Sequence, residues 1–221
     1  MIQIYFWKIR RRHIPWAIAR MALDRITLWQ TKSITFWKLL GAGKGETFTP
    51  RDADPLRWGL LIVTKQESQS DINESALVKR WREKAISEFS ADLIPISIHG
   101  SWSRKEPFAG VESADSNWSG SIAAITRARI KWRKNLIFWR SVPPVTSSLH
   151  NSNGLIAAIG IGEAPIGLQG TFSLWSSADA VRQFAYRGEA HKAAIAATHR
   201  ENWYAEEMFA RFAVTRSSGD L

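Results

Sequence analysis

Apolar and polar residues alternate with a period of two over short stretches and recur every three or four positions over longer ones, and the two patterns take turns along the chain. The first half reads as a strand at 2–8, a helix at 15–28, strands at 35–40 and 58–64, a helix at 74–89 and a strand at 93–99. Pro15 suits a first helical turn, where its missing N–H would be unpaired anyway. Asn73 is the expected cap of the second helix. The second half repeats the order, with strands at 122–130, 155–161, 168–175 and 206–214 and helices at 136–149 and 178–198. Pro143 and Pro144 are expected to kink or interrupt the first of those helices, because each removes a helical hydrogen bond. Each half thus has the order β-α-β-β-α-β of a ferredoxin-like unit.

A duplicated unit is also visible in short motifs. LLGAGKGE (39–46) and IGIGEA (159–164) both end an apolar strand in Gly-x-Gly, and each is followed by another strand and then an amphipathic helix. The predicted class is α+β: two ferredoxin-like repeats, 1–103 and 119–221, joined by a linker at 104–118 and packed as one unit. The stretch 103–119 is polar, contains Pro107 and Gly110 and lacks sustained periodicity, which marks it as the connection. Two such sheets packed face to face enclose a space lined by both, the dimeric α+β-barrel arrangement within one chain.

The helix expected at 178–198 carries Val181, Phe184, Gly188, His191, Ile195 and Thr198 at spacings of three and four, so His191 points toward the core. Arg182, Arg187, Glu189, Lys192 and Arg200 take the opposite face. Gly188 costs a helix roughly 1 kcal/mol relative to Ala. Its benefit is space beside the imidazole.

Composition narrows the function. The chain has 221 residues, a formal charge of +10 and 12 tryptophans. That charge implies an anionic partner. Nucleic acid is disfavoured, since no zinc-finger spacing or aromatic ribonucleoprotein signature is present and the basic residues are dispersed. The dense run Lys8, Arg10, Arg11 and Arg12 sits beside Tyr5, Phe6, Trp7, Ile14 and Trp16. Such a cluster suits a membrane interface, where indoles sit at headgroup depth; it equally suits a solvated turn between strand and helix. With no cysteine there is no disulfide, thiolate haem ligand or thiol nucleophile, which fits a reducing cytoplasm. No signal-peptide pattern and no apolar run of about 18 residues is seen, so any membrane contact is expected to be peripheral, on the inner face.

Gly41, Gly43 and Gly45 do not form a phosphate loop: the Gly-Lys-Ser/Thr ending is missing and a strand follows. Gly160 and Gly162 are expected instead to let a planar ring approach the backbone.

Several blocks in order resemble the spheroidene monooxygenase family of carotenoid ketolases: FWKLLGAGKGETFTPRDADPLRWGLL (36–61), AAITRARI (123–130), FWRSVPP (138–144), GLIAAIGIGEAPIGLQGTFSLW (154–175), FAYRGEAHKAAI (184–195) and WYAEEMFARF (203–212). The resemblance spans nearly the whole chain from Thr35 on, with little in the first 30 residues or in 65–90. It implies a dimeric α+β-barrel fold, a haem b (iron) cofactor and oxygen insertion into an acyclic carotenoid, with electrons from a ferredoxin-type donor. The product it implies is a ketone beside the polyene, reached by two hydroxylations at one carbon and loss of water.

A haem needs imidazole, thiolate or phenolate on iron. The candidates are His13, His99, His150, His191 and His199, with Tyr5, Tyr186 and Tyr204. His191 is the best placed, on a helix face that is otherwise apolar or small; the alternative is a hydrogen-bonded core histidine. His150 is expected at a helix end or loop, and His99 to face the pocket from the first repeat. Phe184 is expected beside the ring. Arg51 and Arg127 are candidate propionate partners, with Arg129, Arg140 and Arg187 as further ones. For Arg51 the competing reading is a turn set by Pro50, Asp52, Asp54 and Pro55. Gln169 and Thr171 are candidates for a distal hydrogen bond to iron-bound oxygen. Trp37, Trp58, Trp139 and Trp175 are expected in the core, a subset lining an apolar channel. The open alternatives are a haem-dependent dehydratase or peroxygenase, a cofactor-free monooxygenase, and a non-enzymatic haem or lipophile carrier; a homo-oligomer is compatible with each.

Overall fold

The computed structural model describes residues 1–65, 72–115, 117–163, 168–187, 196–198 and 200–221. In chain order the elements are β1 (Ile2–Ile9), α1 (Ile14–Gln30), β2 (Ile34–Gly43), β3 (Ala53–Thr64), α2 (Ala76–Lys84), β4 (Ala85–Gly100), β5 (Ile122–Ile130), α3 (Asn135–His150), β6 (Leu155–Gly162), β7 (Leu168–Trp175), α4 (Ala178–Arg187) and β8 (Tyr204–Ser218). The eight strands close into one antiparallel barrel in the order β1-β3-β2-β6-β7-β5-β8-β4. The sheets of the two halves are therefore joined edge to edge rather than stacked face to face. Closure pairs the backbone groups that four free edges would expose.

The joins differ in length. β2 meets β6 only from Gly41↔Gly162 to Gly43↔Gly160, so the two Gly-x-Gly motifs pair with each other at this seam. β4 runs beside β8 from Ser90↔Ser218 to Gly100↔Met208.

Period-two alternation sorts side chains into an inner and an outer set. Ile2, Ile4 and Phe6 of β1 point inward, where Phe6 packs on Phe89 and Phe172, and Leu61, Val63, Leu93 and Phe212 complete the fill. Tyr5, Trp7 and Ile9 point outward into a second core with Leu60, Ile62, Ala17, Leu28 and Trp81. These buried aromatics are no membrane anchors, and Arg11–His13 is a turn of 3-10 helix between β1 and α1, the solvated-turn alternative. α1 packs on β2 and β3, α2 on β1 and β4, α3 on β6 and α4 on β7. Asp24 of α1, 0% exposed, accepts from Trp81 Nε1 (2.8 Å) and Arg80 Nη1 (3.2 Å) of α2 and pairs with Arg20. This fully enclosed carboxylate pins α1 to α2.

Three local expectations change. α2 is capped by Ser75, whose Oγ accepts from the N–H of Val78 (3.3 Å), not by Asn73. It stops at Lys84, because Phe89, Ala91 and Leu93 are needed at alternate positions inside the barrel. α3 continues through Pro143 and Pro144: both rings are exposed, while Val142, Thr146 and Leu149 carry the buried stripe across the break in hydrogen bonding. Residues 188–195 of the last expected helix lie outside the described residues; 196–198 are helical.

The segment between β4 and β5 is more than a connection. It sends Trp102 and Phe108 into the barrel core, with Phe108 edge-on to Phe212 at 5.1 Å. Burying Phe108 alone contributes roughly 1.5–3 kcal/mol. Among the described residues no helix is long and apolar enough to cross a membrane.

Candidate functional site

Two polar constellations stand out, on opposite sides of the second half of the barrel wall. The outer one begins with small residues. Ala158, Gly160 and Gly162 of β6 and Thr171 and Ser173 of β7 point away from the barrel, as do Gln169 and Trp175 on the same alternation. This floor is covered by α3 and α4 and by a loop from the first half. Gly45, at φ +72°, brings its backbone against Gly160, where an added Cβ would stand 3.1 Å from Gly45 Cα. The close approach expected from a planar ring at Gly160 is thus made by the chain's own loop.

That loop is held at both ends of Phe48, which takes φ +56°, a left-handed conformation costing an L-residue about 1–2 kcal/mol. Its N–H donates to Asp52 Oδ2 (2.9 Å), and its carbonyl accepts from Gln169 Nε2. Asp52 also accepts from the N–H of Thr47, which is the turn reading of the 50–55 segment. Thr146 of α3 donates to the Glu46 carbonyl at 2.8 Å. Phe48 lies 6.5 Å from Phe138, which packs edge-on against Trp203 and Tyr204.

Six buried side-chain polar atoms among the described residues lack a hydrogen-bond partner, and three belong to this layer: Asn135 Oδ1 and Trp139 Nε1, one turn apart on α3, and Gln169 Oε1 on β7. An unpartnered buried polar group costs about 1–3 kcal/mol. α3 packs on β6, the neighbour of β7, so all three belong to elements that bound this layer.

The inner constellation is a closed ion network. Arg127, 2% exposed, points into the barrel and pairs with Glu163 (3.1 Å) and with Glu206. Lys38 pairs with Glu163 and donates to Ser103 Oγ (2.6 Å), and Trp102 Nε1 donates to Glu163 Oε1 (2.7 Å). Ser103 and Arg104 both take positive φ, and their N–H groups are aimed at the Glu206 carboxylate. Burial would push the Glu206 carboxyl up; the Arg104 N–H, the Arg127 guanidinium and the Ser103 N–H outweigh it and hold it at about 2. Glu163 is likewise lowered: burial opposes, while Lys38, Trp102 and Arg127 prevail.

The sign follows directly. Between its ordinary 4.5 and about 2, Glu206 is ionised in the folded chain and protonated in the unfolded one. Its stabilising contribution is complete above pH 4.5 and is lost as pH falls toward 2. Urea midpoints measured across that range should fall less steeply for Glu206→Gln than for the wild type; parallel slopes would remove Glu206 from the acid response.

The sequence candidates divide accordingly. Gln169, Thr171, Gly160, Gly162 and Phe184 share the outer layer, with the Phe184 ring tilted against Trp175 at 5.4 Å. Arg127 is committed on the far side of the sheet to two carboxylates, and so is not available to a group in that layer. Arg51 is exposed on the turn after the covering loop. His13 stands at the N-cap position of α1 without a side-chain cap bond, its Nδ1 near the Lys84 carbonyl; His99 and His150 are exposed, so His99 does not face a pocket. Tyr5 donates to Asn73, and burial pushes the Tyr204 phenol up, away from a phenolate. Of the four tryptophans expected in the core, Trp175 is fully buried and Trp37, Trp58 and Trp139 are half-buried. Gly188, His191 and His199 lie outside the described residues. Phe48 and Asn135 do not emerge from the sequence pattern; the one local signal for Phe48 is a lone aromatic in a Gly/Thr/Pro-rich loop.

No family model matches the chain. It is 34% identical over 208 residues to spheroidene monooxygenase of Rhodobacter capsulatus, covering 93% of this chain and 86% of that protein. It is 33% identical over 207 residues to spheroidene monooxygenase of Cereibacter sphaeroides, covering 92% of this chain but only 63% of that protein's length. Among solved structures, aldoxime dehydratase superimposes with a TM-score of 0.61 at 8% identity, covering 96% of this chain and 80% of that one. At that identity the likeness concerns the fold alone.

Proposed function

The chain belongs to the spheroidene monooxygenase family, and from that premise we propose that it inserts oxygen into an acyclic carotenoid or a similar apolar polyene. The observation that carries the reading is the 34% identity to the Rhodobacter capsulatus enzyme along 93% of the chain. One oxygen atom enters a C–H bond to give an alcohol, and the other leaves as water with two electrons and two protons from a donor. A second hydroxylation at the same carbon followed by loss of water gives the ketone.

The cofactor in this reading is haem b, with His191 as the iron ligand. What supports it is the chemistry of the outer layer: the small outward residues Ala158, Gly162 and Thr171 and the buried polar atoms without partners on Asn135, Trp139 and Gln169. His13 lies at the start of α1, and His99 and His150 are exposed, so none of the three is favoured over His191. When bound, the haem supplies oxygen activation. The chain's own groups do the rest. Gln169 holds the covering loop through Phe48 and keeps Oε1 free to accept a hydrogen bond, Thr171 offers a hydroxyl beside it, and Phe138 and Trp139 exclude water. Arg51, on the exposed turn, is the candidate partner for a propionate.

The electron donor is of ferredoxin type, an acidic protein that the +10 charge would attract. The protein works in the cytoplasm at the inner face of the membrane. Each half is read as one ferredoxin-like repeat, supported by its element order and by the matching strand orders β4-β1-β3-β2 and β8-β5-β7-β6.

The test is turnover of an acyclic carotenoid by the haemin-loaded protein with a ferredoxin and its reductase, followed by mass spectrometry. The expected product carries oxygen from labelled O2 and forms only with the donor. Turnover without a donor favours dehydratase or peroxygenase chemistry, and ligand release without oxygen uptake favours a carrier.

A further inference from the structure

The most unusual exposed surface lies on two helices. On α1 the solvent side carries Ile18, Leu23, Ile26 and Trp29, the last 81% exposed. On α3 and the turn before it, Trp132 is 76% exposed and Leu136 stands beside it. Single exposed apolar residues are ordinary, but a helix whose solvent face is mainly apolar is not.

Topology brings the two faces together. α1 packs on β2 and β3 and α3 on β6, and β2 and β6 are neighbours in the barrel, so both helices flank the glycine seam.

Charge says what covers them. The sole carboxylate of α1 is the fully buried Asp24, and residues 117–162 contain no Asp or Glu at all. The exposed cations remain: Arg11, Arg12, Arg25 and Lys32 around α1, and Lys131, Arg133 and Arg140 around α3, with Arg133 stacked 4.9 Å over the Trp132 ring. A face of aliphatic and indole groups, bordered by cations and set on two helices that carry no exposed carboxylate of their own, complements an anionic bilayer even with Glu46 and Glu201 nearby: apolar side chains enter the headgroup–acyl boundary while lysine and arginine meet the lipid phosphates.

We infer that the solvent faces of α1 and α3 form one docking surface for an anionic phospholipid membrane. This rests on the polyene-oxidising reading, since it explains how the protein reaches a substrate dissolved in lipid. It also relocates the contact, from the aromatics of β1, which are buried, to the middle and end of α1 and the start of α3.

The test is flotation of the purified full chain with vesicles of phosphatidylcholine, with and without phosphatidylglycerol. The wild type is expected to float with the anionic vesicles and to bind the neutral ones far more weakly. Leu23→Ser/Ile26→Ser/Trp29→Ser should reduce flotation at least about tenfold with an unchanged thermal melt. If that triple variant fails to fold, Trp29→Ser and Leu136→Ser singly serve the same purpose. Flotation of the variants equal to wild type, or wild type left at the bottom with anionic vesicles, overturns the proposal. So does light scattering that finds a lipid-free dimer split by the same substitutions, since the face would then cover a second copy. Haem binding and carotenoid turnover in detergent are read separately, so failure here leaves those assays standing.

Discussion

Arg127→Ala is expected to lower the stability of the folded chain by about 3–5 kcal/mol, the usual cost of removing one partner from a buried ion network. The side chain sits inside the barrel between Glu163 and Glu206, with its guanidinium 5.7 Å from the Trp102 ring centroid. Without it, two enclosed carboxylates lose their shared cation. Ser103 and Arg104, whose left-handed backbones are held by Glu206, lose much of what holds them. Urea denaturation followed by tryptophan fluorescence reads the change. Arg129→Ala is the control: Arg129 reaches the same Glu206 only at 3.8 Å and is 41% exposed, so its loss should stay within about 0.5 kcal/mol. Equal midpoints for the two variants would make the network a surface feature energetically.

His191→Ala should cost turnover at least about 100-fold, because changes to groups that merely support a metal ligand already cost roughly 10–100-fold. Three readouts separate an iron ligand from a histidine that only fills a core. The variant should lose stoichiometric haem, its spectrum should return on adding imidazole, and its stability without haem should fall little. A variant with full haem content and an unchanged spectrum would assign the iron to another residue. Gln169→Leu should retain haem, because in the proposed assignment Gln169 is not the iron ligand; loss of haem from that variant would count against the assignment.

Much of this architecture was legible because its signals were strong and local. The strands at 122–130 and 168–175 are short runs rich in apolar and β-branched residues bounded by turn residues, and they occur with those bounds. The Gly-x-Gly repeat was visible as a repeat, but only the closed barrel explains it: the motifs pair with each other, and the second lies beneath the loop that follows the first. Long-range pairing of this kind leaves no local trace. The helical pattern runs past the end of α2 because residues 85–89 satisfy a helical period as well as a strand alternation, and Phe6 and Phe172 decide between them by packing on Phe89. The prolines of α3 are a similar case, since a buried stripe outweighs two lost hydrogen bonds.

At the site, residue type was easier to read than residue side. Gln169, Thr171, Gly160, Gly162 and Phe184 do share a layer. Arg127 does not, because a one-residue change of parity on β5 moves a side chain through the wall of the barrel. The interior network was invisible for a related reason: Lys38, Trp102, Glu163 and Glu206 are far apart in sequence, and two of its anchoring N–H groups come from a segment that reads as a polar linker.

The visible spectrum of the purified chain titrated with haemin, then reduced with dithionite and exposed to carbon monoxide, tests the central claim most directly. Stoichiometric binding with a sharp Soret band that moves on reduction and again with carbon monoxide is the predicted result. A spectrum of free haemin throughout, with oxygen still inserted into the carotenoid, would contradict it and leave a cofactor-free monooxygenase.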